Sequence, residues 1–210
     1  MEELKETPER KGSRTIGDAA LRTLFTEART AQGFLDVPVA RELLERIVEL
    51  AELGPTSNNS LPLHVTFVES PEAKERLRPA LSEGNVEKTM RAPVTAILAA
   101  DVAFHLHRPE RFPDAARFRE RYGGEGGSAA ARALATTNAT LQGAYLMLAA
   151  RALGLDVGPM GGFERSAVDA AFFAGTTYES LWLCNLGYAD PSQKRPRGPR
   201  LTVPEIATFL

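Results

Sequence analysis

Cysteine is nearly absent. Cys184 is the single thiol in 210 residues, so no intramolecular disulfide can form, and a reducing, cytoplasmic setting is expected. Excess charge is absent too: 25 Lys and Arg stand against 27 Asp and Glu, a formal net charge of −2. No whole-molecule field therefore draws nucleic acid or an anionic membrane. The first twenty residues lack an apolar run and mix Glu, Lys and Arg with Pro and Gly, whereas a signal peptide or a membrane helix needs such a run. A soluble protein is expected, with residues 1–15 as a disordered extension. Several catalytic signatures are also missing. No Gly-x-Ser-x-Gly elbow surrounds Ser57, no Walker motif occurs, and the glycines at 123–127 follow no apolar strand, as a dinucleotide fingerprint would require. His105 and His107 have a strand-like spacing for a metal pair, but no third ligand cluster accompanies them.

What remains is an ordinary globular balance, 43% hydrophobic and 25% charged, long enough for one sizeable core and short for two. Residues 16–210 read as a single domain. Leu21, Leu24, Phe25 and Ala28 keep a helical spacing from Ile16 to about Gln32, and Leu43, Leu44, Ile47, Val48 and Ala51 do so from Val39 to Leu53, where Gly54-Pro55 stops the helix. His64 to Glu69 reads as a strand. Ser70-Pro71 caps a helix reaching Leu81, and Pro93 to Ala100 is a β-branched, apolar run suited to a central strand. The segment from Asp101 to Ser128 holds prolines, arginines and glycines without strong periodicity, the pattern of a lid or a disordered excursion. Ser128 to Leu153 is an alanine-rich helix of roughly 39 Å, with Leu134, Leu141, Tyr145 and Leu148 as its apolar face. Short elements follow at Leu155–Gly158 (strand), Phe163–Phe173 (helix) and Ser180–Tyr188 (buried strand), then a tail rich in Pro and Arg. Cys184 falls in the apolar run of that last strand, which suits a packing residue better than a nucleophile. The pattern is mixed α+β.

The most informative stretch is Gly54-Pro55-Thr56-Ser57-Asn58-Asn59-Ser60-Leu61-Pro62, small, polar and turn-forming, between a helix and a strand. Its hydroxyls, amides and backbone N–H groups suit a polar, planar ligand, although a surface turn has the same composition. Other segments have equally plain alternatives. Arg29-Thr30 could be a solvated helix end, and Asn85 and Lys88 a polar helix terminus. Gly158-Pro159-Met160-Gly161-Gly162-Phe163 could be a tight turn. Arg195 and Arg197 could be a charged tail.

Taken together, these residues resemble the flavin-binding set of the nitroreductase family. The likeness is carried by Leu24-Phe25-Thr26-Glu27-Ala28-Arg29-Thr30, Gly54-Pro55-Thr56-Ser57-Asn58, Lys74-Glu75-Arg76-Leu77-Arg78-Pro79-Ala80-Leu81-Ser82, Ala92-Pro93-Val94-Thr95-Ala96-Ile97 and Arg151-Ala152-Leu153-Gly154-Leu155-Asp156. Within the family the chain is most similar to the malonic semialdehyde reductases, also called 3-hydroxypropanoate dehydrogenases, of pyrimidine degradation.

The resemblance implies a central, mainly antiparallel sheet flanked by helices, an intertwined homodimer, FMN as cofactor and NAD(P)H as co-substrate. It implies that Arg29, Thr30, Arg195 and Arg197 meet the FMN phosphate and that Pro55, Thr56, Ser57 and Asn59 line the ribityl chain and ring edge. Asn85 and Lys88 would face the pyrimidine end, and Gly161 and Gly162 would lie near N5. A small carbonyl compound is the expected substrate. A nitroaromatic or quinone reductase of the same fold, and a non-catalytic flavin-binding protein, are the alternatives. The arginines of 108–121 are candidates for a substrate carboxylate.

The chain also departs from the family pattern. One arginine stands in Ala28-Arg29-Thr30-Ala31-Gln32 where the family has two or three, Leu61 replaces a glutamine before the loop's proline, and Gly161 stands where nitroaromatic reductases carry a glutamate.

Overall fold

The computed structural model describes residues 15–107, 112–123 and 127–210. Residues 1–14 of the expected disordered extension, Arg108, Arg111 and the glycines at 124–126 lie outside the described residues.

Four strands build one sheet: β1 (Leu63–Val68), β2 (Val94–Asp101), β3 (Asp156–Met160) and β4 (Tyr178–Gly187), in the order β1-β2-β4-β3 with every neighbouring pair antiparallel. β2 is buried along its whole length. Ala96 and Leu98 point into one core with Cys184 and Leu186, while Ile97 and Ala99 point into another with Leu183. Burial on both faces explains why β2 reads as an unbroken apolar run rather than an alternating one.

The first core is closed by α2 (Arg41–Glu52), whose Leu44, Ile47 and Ala51 are buried, and by the long helix α7 (Gly127–Ala152). The second is closed by α3 (Pro71–Leu77) and α8 (Arg165–Phe172). Ser70 caps α3 by accepting from the Ala73 N–H, with Pro71 at the first position, as its sequence signals. A further helix, α4 (Glu83–Arg91), carries Asn85 and Lys88 into the start of β2.

Three expectations are corrected. The N-terminal helix is shorter than Ile16–Gln32: α1 (Asp18–Leu21) widens into a π-helical turn at Arg22–Thr26 and stops. Thr30 and Ala31 are instead drawn onto the sheet edge, where Ala31 N–H donates to Val157 O at 2.9 Å. The apolar face expected for α7 is also turned. Leu141 and Tyr145 are exposed, whereas Ala131, Ala135, Ala139, Leu146 and Ala150 are buried. Small side chains let the helix lie close to bulky strand residues; a Cβ on Gly143 would stand 2.5 Å from Trp182 Cζ2. Finally, the described part of the 101–128 segment is helical, with α5 (Phe104–His107) and α6 (Ala115–Tyr122). Phe104, Phe118 and Tyr122 pack into a small aromatic cluster on the N-terminal half of α7. Helices of one or two turns are too short to leave a visible periodicity, and these aromatics were the only signal.

After β4, Asp190 caps a short 3₁₀ turn at Pro191–Gln193. The remaining tail runs past Arg195, Arg197 and Arg200 to α9 (Val203–Ile206). No helix among the described residues is long and apolar enough to cross a membrane.

Candidate functional site

The π-helical turn leaves the carbonyls of Leu24, Phe25, Thr26 and Ala28 without helical partners, the normal fate of a helix C-terminus. Guanidinium groups collect them. Arg197 Nη2 donates to Phe25 O (2.7 Å), Thr26 O (3.1 Å) and Ala28 O (2.8 Å). Arg29 Nη1 donates to Thr26 O and Ala28 O (3.1 and 2.8 Å), and Arg151 Nη1 to Leu24 O (3.1 Å). Arg197 thus ties the tail to a turn some 170 residues earlier.

These groups, with Arg195 and Arg200, line a cavity of about 520 Å³ in which no carboxylate takes part among the described residues. The Arg197 guanidinium is pushed below its ordinary range, first by desolvation and then by the charges of Arg29, Arg200 and Arg151. Arg29 Nε is buried and has no hydrogen-bond partner among the described residues. Five cations held together against their own repulsion, with one donor unpaired, have the charge and geometry that suit a multiply charged anion. A phosphate group fits that donor set.

Lys88 does not line this cavity but lies within reach of the charge of Arg195, which does. Burial lowers its pKa, and Arg195 lowers it further. Asn85, one turn earlier on α4, donates from Nδ2 to Gly162 O at 2.8 Å, and Ser82 N–H donates to the same carbonyl at 3.1 Å. A Cβ on Gly162 would stand 2.6 Å from Asn85 Nδ2, whereas one on Gly161 would meet nothing within 4 Å. Glycine at 162 is thus a close-approach residue, and Gly161 borders open space. A neutral amide, an ammonium and bare backbone beside the arginine cavity suit the rim of a polar, planar ring.

The loop at 54–62 lies elsewhere. Ser57–Asn59 form a 3₁₀ turn, with Asn58, Asn59 and Leu61 in the left-handed region at φ 53°, 54° and 48°. Asparagine tolerates that region, but Leu61 is strained there. The conformation is held from outside, where Ser57 N–H donates to Asn138 Oδ1 (2.7 Å) and Leu63 N–H to Gln142 Oε1 (3.0 Å), and from within, where Leu61 N–H donates to Thr56 Oγ1 (3.2 Å). Asn138 and Gln142 are polar residues buried on α7. They were not singled out in the sequence, although two amides four apart within an alanine-rich helix are a visible signal.

The sheet separates the two groups. The loop enters β1 at Leu63, which faces Ala100 at the far end of β2, on one edge of the sheet. Thr30 bridges Val157 on β3, the opposite edge, near the Leu186 end of β4. No residue of 54–62 lines the arginine cavity. One chain therefore brings together Arg29, Thr30, Arg195, Arg197 and Lys88, with Asn85 and Gly162 farther along β3. It leaves Pro55, Thr56, Ser57 and Asn59 at the diagonal corner.

Two other features are structural in character. His107 Nδ1 meets Asp101 Oδ2 at 2.8 Å, and Thr177 Oγ1 donates to Asp101 Oδ1 at 2.6 Å. Cys184 is buried, which pushes its thiol up to about 12, so it presents no thiolate.

The model of the nitroreductase family matches residues 26–188. A Burkholderia lata protein, named as a candidate NADH dehydrogenase/NAD(P)H nitroreductase, is 53% identical over 193 residues, covering 92% of this chain and 97% of its own. A similarly named protein of Xanthomonas oryzae is 50% identical over 197 residues, covering 94% and 99%. Among solved structures, a nitroreductase candidate from Bacillus subtilis has a TM-score of 0.79 at 24% identity, covering 91% of this chain and 99% of that one. One from Exiguobacterium sibiricum, solved in complex with FMN, has a TM-score of 0.78 at 22% identity, covering 94% and 99%. The sheet order, the helical layers and a family match over more than three-quarters of the sequence agree: this chain belongs to the nitroreductase family.

Proposed function

We propose that this protein is an FMN-dependent NAD(P)H oxidoreductase that reduces a small carbonyl compound, with malonic semialdehyde as the substrate and 3-hydroxypropanoate as the product. The observation that carries the cofactor is the carboxylate-free arginine cavity beside Lys88, with Arg29 Nε unpartnered. When bound, FMN supplies a two-electron carrier that accepts hydride from NAD(P)H and delivers it to a carbonyl carbon. In balance, the aldehyde, NAD(P)H and one proton give the alcohol and NAD(P)⁺.

The chain's own residues bind and orient. Arg29, Arg195 and Arg197 hold the phosphate, with Thr30 beside them and Arg151 and Arg200 adding to the field. Lys88 places positive charge, and Asn85 an amide, at the pyrimidine end. Gly161 and Gly162 let backbone approach the opposite edge. Open space at Gly161, in place of an acidic side chain, suits an anionic aldehyde. The chain resembles malonic semialdehyde reductases across the segments quoted above, which favours that substrate.

A homodimer completes the site. Pro55, Thr56, Ser57 and Asn59 sit at the corner of the sheet opposite the arginine cavity, so they reach a flavin only on a second copy. The exposed apolar residues Leu21, Phe25, Leu53, Leu141 and Tyr145 suit the surface of contact. A nitroaromatic or quinone reductase is the second reading, favoured by the names of relatives about half identical in sequence.

The test is the visible absorption spectrum of the purified protein reconstituted with FMN. The flavin band should bleach with anaerobic NADPH or NADH and recover on adding malonic semialdehyde. Recovery only with a nitrofuran would transfer the activity to the second reading. Arg29→Ala and Arg197→Ala should each weaken FMN binding by about 10–100-fold, as loss of charge-assisted bonds does. Undiminished binding in both would remove the phosphate assignment.

A further inference from the structure

Lys74 is buried to 3% exposure on α3, and neither of its hydrogen-bond partners is a carboxylate. Its Nζ donates to Thr89 O at 2.9 Å and to Thr95 Oγ1 at 2.6 Å. Thr95 Oγ1 donates in turn to Asn185 Oδ1 at 2.7 Å, and Asn185 Nδ2 donates to Lys88 O at 3.2 Å. The donors and acceptors are consistent around the circuit: the single hydroxyl proton of Thr95 goes to the amide oxygen, leaving its lone pairs for the ammonium. Lys88 O also takes the Ala92 N–H at 3.2 Å, so the last turn of α4 is held from outside the helix as well as within it.

A buried ammonium without a counter-ion costs stability, and an apolar residue of similar size would fill the space at less cost. What the ammonium alone supplies is donation to carbonyls at a helix C-terminus, where partial negative charge gathers. The two carbonyls held by this circuit belong to Lys88 and Thr89, and Asn85 lies on the same face of α4 as Lys88. The height of α4 against the sheet is therefore set by a side chain that touches neither the arginine cavity nor Gly162.

We propose that Lys74 is a positioning residue of the flavin pocket, acting through Thr95 and Asn185 to fix the last turn of α4 and with it Lys88 and Asn85. The flavin part of this inference rests on the functional reading above; the anchoring of α4 does not.

The test uses the full chain with Lys74→Met, with Thr95→Val as a milder cut through the same circuit. Leu77→Ala serves as a control for lost stability, because Leu77 is fully buried on the same helix and outside the circuit. Two quantities are read: the Kd for FMN, and backbone amide exchange of the flavin-free protein.

Lys74→Met should weaken FMN binding about tenfold and speed exchange at residues 88–92 by about the same factor beyond the global change. Thr95→Val should move both in the same direction by a smaller factor. Leu77→Ala should raise exchange across the core without singling out 88–92. Exchange at 88–92 that follows the rest of the core in Lys74→Met would overturn the anchoring, and an unchanged Kd for FMN would overturn the positioning role. A wild-type chain that binds no FMN would instead sink the functional reading, and the exchange pattern would still decide whether Lys74 anchors α4.

Discussion

Lys74→Met should change the pH dependence of stability in a way that isolates one buried charge. Burial lowers the Lys74 ammonium from its ordinary 10.5 to about 8. Between those values the unfolded chain holds the proton and the folded chain does not, so folding becomes more favourable as pH rises through the window. The penalty for the buried charge is fully present below pH 8 and is relieved by pH 10.5. The difference, 10.5 − 8 = 2.5 pH units, amounts to about 3–4 kcal/mol at about 1.4 kcal/mol per unit.

Cys184 acts in the opposite sense. Its thiol, raised from 9.0 to about 12, stays protonated when folded, so stability is lost as pH rises above 9. Wild-type stability alone would blend the two effects, but the wild-type-minus-variant difference cancels Cys184. Near neutral pH the variant should lie close to wild type, because relief of the charge offsets two lost hydrogen bonds of about 1.5–3 kcal/mol each. Urea unfolding at fixed protein concentration, from pH 7.5 to 10.5, should show wild type gaining about 3 kcal/mol on the variant. Parallel curves would refute the reasoning, since they would mean that Lys74 has the same proton affinity folded and unfolded.

Two further substitutions examine close packing. Gly143→Ala places a Cβ 2.5 Å from Trp182 Cζ2 and 2.9 Å from Leu98 Cδ2; overpacking of about 1–3 kcal/mol should exceed the gain in helix propensity and lower Tm by several degrees in a thermal melt. A Tm above wild type would show that the small face of α7 does not set its distance from the sheet. Gly162→Ala places a Cβ 2.6 Å from Asn85 Nδ2 and should drive that amide off Gly162 O, weakening FMN binding about fivefold by titration. Gly84→Ala, on the same helix with open space around the new atom, should leave binding unchanged; equal losses in both would discount the contact.

Legibility differed from element to element. α2, α3 and β2 were readable because their cues are local: a 3.6-residue apolar stripe, Ser70-Pro71, and a β-branched run. α7 was readable in extent but not in orientation. Its larger apolar residues suggested one face, and the sheet selected another, because Trp182 and Leu98 leave no room for even a Cβ at Gly143 and alanines fill much of the rest of the buried face. The first helix was overextended because spacing cannot report that Ala31 will find Val157 on a sheet edge. In the site, the polar loop, Arg29, Asn85, Lys88 and the tail arginines, each ambiguous by residue type, were singled out by their joint likeness to the family's flavin-binding set. Arg151, Arg200, Asn138, Gln142 and Lys74 were not assigned roles, since a buried amide and a solvated one look alike in one dimension.

The sequence by itself determined what is local: where α2 stops and α3 starts, which run lies in the centre of the sheet, and which short segments are too polar to bury. Tertiary structure alone decided which of those segments meet. Arg197 reaches the carbonyls of Phe25 and Ala28 across some 170 residues, while the loop at 54–62 is carried to the other corner by the β1-β2-β4-β3 order. Periodicity records that an element has a buried face, but not the element that will cover it, and for α7 the covering sheet decided the face as well. Antiparallel pairing and the repulsion of five arginines around one cavity are long-range terms that exist only once the chain has closed on itself.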